Sequence, residues 1–150
     1  MTATLIAVLG TLAGAVVAGF MQHLSTTRTT RTATAEQRRR ALADAVPALL
    51  SALVRHREQQ YLKIVARREG VADTAETRQA RYAARSAVTS AMDTLFMTTH
   101  NGDLLAVAQE AVDAAMAVGD VPAGELDAAG LRARQAHTAL RVAGAQHIYT

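Results

Sequence analysis

The chain has 150 residues, a mass of 15.9 kDa and a formal net charge of +3, enough for one modest domain. Half of it is apolar, yet it holds only three Tyr and two Phe; 34 residues are alanine, and 15 of its 16 basic side chains are Arg, a bias that points to a GC-rich genome. The absence of Cys excludes a disulfide scaffold and a zinc finger, and two Pro and nine Gly in an Ala-, Leu- and Arg-rich chain exclude an all-β domain and favour helix.

No charged side chain occurs from Met1 to Thr27. As a helix, Ala3–Leu24 would be about 33 Å long at a rise of about 1.5 Å per residue, matching a hydrocarbon core of roughly 30 Å. Within lipid a helix satisfies every backbone polar group internally. A cleaved signal peptide would need a basic n-region and a shorter apolar core, so residues 1–24 are expected to be a retained transmembrane helix. Gly10, Gly14 and Ala18 form one row of small residues on this helix, a face on which a second membrane helix could pack closely. An Ala- and Gly-rich span also contains such rows through composition alone.

Residues 25–40 form a Thr- and Arg-rich juxtamembrane stalk, either a solvated helix or a flexible linker. Arg28, Arg31, Arg38, Arg39 and Arg40 against Glu36 give it a charge of +4, whereas residues 41–150 sum to −1. The positive-inside bias then predicts an N-terminus outside the cell and a cytoplasmic domain over 41–146, with 147–150 as a tail. Such arginines interact favourably with anionic headgroups. Because the positive charge is concentrated beside the membrane, the main domain is not expected to bind nucleic acid directly.

Helix one is predicted over Glu36–Arg68. Leu42, Val46, Leu49, Leu53, His56, Gln60 and Ile64 fall at helical spacing on one stripe; Pro47 either kinks this helix or restarts it, and Gly70 stops it. Asp73 and Glu76 resemble a capping box for helix two, over Thr74–Thr98, with a stripe of Ala80, Ala84, Ala87, Val88, Ala91, Met92 and Leu95. Asn101–Gly102 marks a turn and Asp103 a cap before helix three, over Leu104–Val118, with Leu105, Ala108, Val112, Ala115 and Met116. Pro122 breaks the pattern. Helix four, over Glu125–Ala145, has a thin stripe of Leu131, Gln135, Thr138 and Val142. Short connections favour antiparallel neighbours. The expected fold is therefore all-α: one N-terminal transmembrane helix followed by an antiparallel helical hairpin or bundle of three to four helices. Its alanine-rich core buries little area per residue, which favours a second copy or a partner chain.

No P-loop, GxGxxG, HExxH or Cys motif is present, and Gly10, Gly14 and Gly19 belong to the apolar run. The histidines at 23, 56, 100, 137 and 147 include no pair three or four residues apart. No catalytic residue, metal or cofactor is therefore assigned. Polar residues do interrupt the stripes at His56–Tyr61 and Arg78–Thr89. With a turn near residues 71 and 72, antiparallel pairing sets Glu58 level with Arg85 and Tyr61 level with Tyr82. His56, Glu58, Tyr61, Tyr82 and Arg85 then form either a polar layer that fixes register, with Glu58 in reach of Arg81 or Arg85, or simply solvated faces.

An uncharged membrane helix, an Arg-rich stretch, His56-Arg57 followed by Tyr61, then Ala83 with Arg85-Ser86-Ala87-Val88-Thr89 occur in that order. The chain resembles the small Kil- and spread-type membrane proteins of Streptomyces conjugative plasmids and integrated elements. The resemblance implies a role in the conjugative spread of plasmid DNA, as a membrane partner of a DNA translocase; together with the residue pattern and the compositional bias, the expectation is a single-pass cell-membrane protein of an actinomycete whose partners are the lipid bilayer and either further copies of itself or another membrane protein of the DNA-transfer system. It supplies no catalytic residue. The competing expectations are a holin-like membrane-active protein of a phage or mobile element, and a membrane-tethered lipid or nucleic-acid binder that uses the Arg28–Arg40 cluster.

Overall fold

The computed structural model describes the backbone of residues 2–149 and the side chains of residues 32–122 and 124–149. Four α-helices occur in it: α1 (Thr2–Arg68), α2 (Ala75–Thr98), α3 (Gly102–Ala117) and α4 (Leu126–Tyr149), with a 3-10 turn at Ala123–Glu125 before α4. There is no strand among the described residues. The chain divides into two compact units, Met1–Gln37 and Arg38–Thr150.

In the first unit the side chains of 1–31 are outside the described residues, and with them the expected span, the Gly10, Gly14 and Ala18 row, and Arg28 and Arg31. Among the described residues no helix is long and apolar enough to cross a membrane. The stalk residues 32–37 are helical and exposed.

The second unit is the helical bundle. Arg38, Arg39 and Arg40 are exposed at its start. Beyond them the α1 stripe turns inward: Leu42, Val46, Leu49, Leu53 and His56 are buried, and Ile64 packs partly buried against the same core. Pro47 neither restarts nor ends α1, which runs through it, and Pro47 itself lies on the exposed face. Gly70, at φ +70°, ends the helix. Val71 N–H donates to Ala66 C=O at 2.8 Å and Gly70 N–H to Arg67 C=O at 3.4 Å, a Schellman termination in which glycine supplies the left-handed residue.

The caps of the next two helices fall beside the residues expected. Thr74, not Asp73, caps α2, its hydroxyl accepting from Thr77 N–H at 3.2 Å. Asn101, not Asp103, caps α3, accepting from Leu104 N–H at 2.9 Å. In both cases the residue one step outside the first helical residue has the extended backbone that a cap requires.

The α2 stripe is buried at Ala84, Val88 and Leu95 and half-buried at Ala87, Ala91 and Met92, with Ala80 exposed. In α3 the core side is Leu104, Ala108, Ala111, Ala114 and Ala115, and Leu105, Val112 and Met116 flank it. α3 packs along α4 and more lightly on α2. The expected α4 stripe is reversed: Leu131 and Val142 are exposed, as are Gln135 and Thr138, whereas Leu126, Ala129, Gly130, Ala133, Ala136, Leu140 and Gly144 are buried. The cause is steric. Val46 of α1 lies where a Cβ on Gly144 would stand 2.5 Å from its Cγ1, and the Tyr61 hydroxyl occupies the corresponding space at Gly130. Residue numbers rise along α1 as they fall along α4, so the two helices run antiparallel at a separation that only small residues permit. α4 continues to Tyr149, so the expected tail begins inside a helix.

Candidate functional site

α1 carries different chemistry on its two sides. Residues advance by about 100° around a helix, so His56, Gln60 and Lys63 share one side, while Glu58 stands about 200° from His56, on the other. The first group faces a cleft of about 240 Å³ whose opposite wall is Arg78, Arg81, Tyr82 and Arg85 of α2, closed by Met116, Gly119 and Asp120. The second group, Glu58 with Arg57, Tyr61 and the exposed Val54, Leu62 and Val65, lines a groove of about 410 Å³ against Gly130 and Arg134 of α4.

The five residues expected in one polar layer are therefore divided. His56, Tyr82 and Arg85 meet in the cleft; Glu58 and Tyr61 line the groove. The α1–α2 register is antiparallel about the expected turn, with His56 beside Arg85, but residues two apart on a helix do not share a face, so Glu58 is turned away from α2. Arg81 is engaged by Asp73 instead: its Nη2 donates to Asp73 Oδ2, Thr77 Oγ1 donates to Asp73 Oδ1 at 2.7 Å, and Arg78 Nη1 donates to Asp73 C=O at 2.8 Å. The Arg81 and Thr77 hydrogen bonds hold the Asp73 carboxyl down to about 2.

The cleft has an unsatisfied floor. His56 is 2% exposed, and neither ring nitrogen has a hydrogen-bond partner; Gln60 Oε1 has none either. Each such buried atom costs on the order of 1–3 kcal/mol. Burial lowers the His56 pKa, Arg85 lowers it further and Asp120 opposes them, so the imidazole is held neutral, with one N–H donor and one acceptor nitrogen. The Gln60 carboxamide lies against Gly119 where a side chain at that position would displace it. Lys63 and Arg85 have no ion-pair partner within the described residues. Arg57 Nη1 in the groove and His137 Nδ1 on α4 are likewise buried without partners; burial first, then Arg57 and Arg141, lower the His137 pKa. No cluster of metal-ligating side chains occurs among the described residues.

Sequence reasoning does not single out Lys63 or Asp120. Lys63 is legible as the residue three beyond Gln60 on the same stripe. Asp120 follows the end of α3, and only tertiary packing brings it to the cleft.

The KilB plasmid transfer protein family model matches residues 43–148. The chain belongs to that family. The match takes in both sides of α1 and all of α2, α3 and the 3-10 turn, and reaches all but the last residue of α4. Protein KilB of Streptomyces lividans is 41% identical over 97 residues, which cover 63% of this chain and 63% of that relative. No solved structure matches the chain. The family matched is the Kil-type group that the His56–Tyr61 and Ala83–Thr89 motifs resemble.

Proposed function

We propose that this chain is a membrane-anchored, non-enzymatic helical interaction protein that assists the transfer and spread of a conjugative plasmid in an actinomycete. The observation that carries the reading is the family match over residues 43–148. The uncharged run Ala3–Leu24, followed by Arg28, Arg31 and Arg38–Arg40, supports an anchor with the bundle on the cytoplasmic side of the cell membrane. The exposed Val54, Leu62 and Val65 beside the groove suit a bundle that works against another protein. The Gly10, Gly14 and Ala18 row suits self-association, or pairing with another membrane helix of the transfer system.

The test is a plasmid with an in-frame deletion of this gene, scored for transfer frequency and for the diameter of the spread zone, and complemented by the intact gene or by Gly10→Ile/Gly14→Ile. Loss of spread that only the intact gene restores, with the double variant still in the membrane fraction, is the expected result. Normal transfer and spread from the deletion, or permeabilised cells on expression with no spread phenotype, would replace this reading with the membrane-active one. A reporter fused after Thr150 should be active in the cytoplasmic format and silent in the exported one.

A further inference from the structure

We infer that the α1–α4 groove closes on the same groove of a second copy of this chain, about a two-fold axis running along the helices, with Glu58 of each copy against Arg134 of the other. The inference rests on the reading of the bundle as an interaction module and names its partner; it does not need the role in plasmid transfer.

The groove, about 410 Å³, is apolar at Val54, Leu62 and Val65 and charged at Arg57, Glu58 and Arg134. Its charges are divided between the walls. Arg134 of α4 folds back along its own helix, with Nη1 3.4 Å from where a Cβ on Gly130 would stand. Arg57 is half-buried; burial lowers its pKa most, Tyr61 opposes this and Arg134 lowers it further, so the two guanidiniums repel each other. Glu58 is exposed on the α1 wall, and no ion pair joins it to either cation among the described residues. A complementary partner brings an acid to the α4 wall and a base to the α1 wall, on either side of an apolar centre. A second copy brings both.

Register makes the match specific. A two-fold contact is isologous, so the patch must complement itself. Tyr61 stands against Gly130 and Val46 against Gly144, so along the antiparallel pair Arg134 is level with Arg57, one residue from Glu58. An axis along the helices keeps every level and exchanges the walls. α1 of one copy then lies over α4 of the other, and Glu58 reaches Arg134 twice. Leu62 and Leu131, 56% and 51% exposed, are less than a turn apart in level and meet across the same seam. Each α1 and each α4 gains a second antiparallel neighbour, as in an up-and-down four-helix bundle. An axis across the helices would instead stack α1 on α1 and α4 on α4, keeping Glu58 and Arg134 apart. Exposed ion pairs are weak, so the charges set the register and the apolar side chains supply the contact.

The test uses the absence of cysteine from the chain. Full-length Leu62→Cys and Leu131→Cys chains, each with its own tag, are expressed together and treated with a short bismaleimide in unfractionated lysate. A product carrying both tags is expected. Either variant expressed alone should cross-link about tenfold less, because this axis sets identical residues on opposite walls. Glu58→Arg placed in both chains, or Arg134→Glu in both, should lower the two-tag yield about tenfold, since symmetry reverses two surface pairs at once. Glu58→Arg in one chain and Arg134→Glu in the other should restore it, because both contacts are then regenerated. Variants that fail separately and succeed together exclude misfolding as the cause. Pairing through residues 1–24 alone would be indifferent to these charges. No two-tag product, equal product from Leu62→Cys alone, or a yield that the reversals leave unchanged overturns the proposal. If the gene deletion still abolishes spread in that case, the second copy is rejected and the transfer reading stands.

Discussion

α2 and α4 are both 24 residues long, yet α2 buries Ala84, Val88 and Leu95 whereas α4 buries seven residues, two of them glycine. α2 meets the core through a few branched side chains spaced along one stripe. α4 lets the backbone of α1 come close and buries its own main chain, with Leu131, Val142 and Tyr149 left outside. Large side chains fill volume between helices set apart; small ones remove the separation. The second solution gains dispersion contacts along the helices but tolerates no added atom, so the α1–α4 seam should be the less forgiving of the two.

Leu140→Ala tests this most severely. Leu140 is fully buried and stands on the buried face of α4 between Ala136 and Gly144, so its own helix offers no neighbouring side chain long enough to refill its space. A loss of about 4 kcal/mol is expected, in the upper part of the range for buried leucine, read from urea unfolding of the bundle. A loss below about 2 kcal/mol would mean that the seam can collapse and that the contrast with α2 is overstated.

Gly144→Ala comes next. Alanine gains about 1 kcal/mol of helix propensity, but its Cβ would stand 2.5 Å from Val46 Cγ1, and a β-branched neighbour has few rotamers to yield. A net loss of about 1 kcal/mol is expected. Combining it with Val46→Ala should recover part of that loss as a coupling energy. Gly102→Ala is the control: nothing lies within 4 Å of its Cβ position, so it should be neutral or slightly stabilising. Strict additivity of the Gly144 and Val46 substitutions would break the close-approach account.

The same contrast explains which parts of the bundle are legible in the amino-acid sequence. Stripes of large residues are legible: Leu42, Val46, Leu49 and Leu53 in α1, and Val88 and Leu95 in α2, fall where a helical period places them. In α4 the larger hydrophobics are split, with Leu126 and Leu140 buried and Leu131 and Val142 exposed, so ranking residues by hydrophobicity does not pick out the buried face. Nothing in Gly130 or Gly144 alone distinguishes a helix breaker from a contact point. The expected polar layer fails for a simpler reason: it sets Glu58 and His56 on one face, although a helix separates residues two apart. The membership of His56, Tyr82 and Arg85 in one cleft is accessible from the hairpin register; that of Asp120 is not, because it enters from a different connection.

A smaller effect, set by pH, comes from His56 of α1 and His137 of α4. The folded-state pKa values of His56 and His137 are both lowered, chiefly by burial. Below an unfolded value of about 6.5 the unfolded chain takes up protons that the folded chain resists, so stability should decline as pH falls from about 6.5 toward the folded values. His56→Leu removes the cleft contribution and two unsatisfied nitrogens. It should leave stability at pH 7.5 equal or higher and reduce the slope between pH 6.5 and 5, while His137 preserves a residual slope. An unchanged slope would show that His56 does not stay neutral in the fold.

The smallest expected effect lies at the α1–α2 turn. Asp73 accepts from Arg81 and Thr77, and its carboxyl is held to about 2. A depressed carboxylate contributes stability that is present above its unfolded value, about 3.9, and is lost as pH falls through the folded one. The contribution of Asp73 should therefore disappear between about pH 4 and 2, leaving neutral and mildly acidic pH untouched. The pair is exposed on the Asp73 side, where solvent and salt screen it. Asp73→Asn should accordingly lower the melting temperature only slightly at pH 7, and the parent and variant curves should converge toward pH 2. A large loss of melting temperature at pH 7 would instead mean that Asp73 holds the α2 terminus in place through Thr77 and the backbone as well as through Arg81.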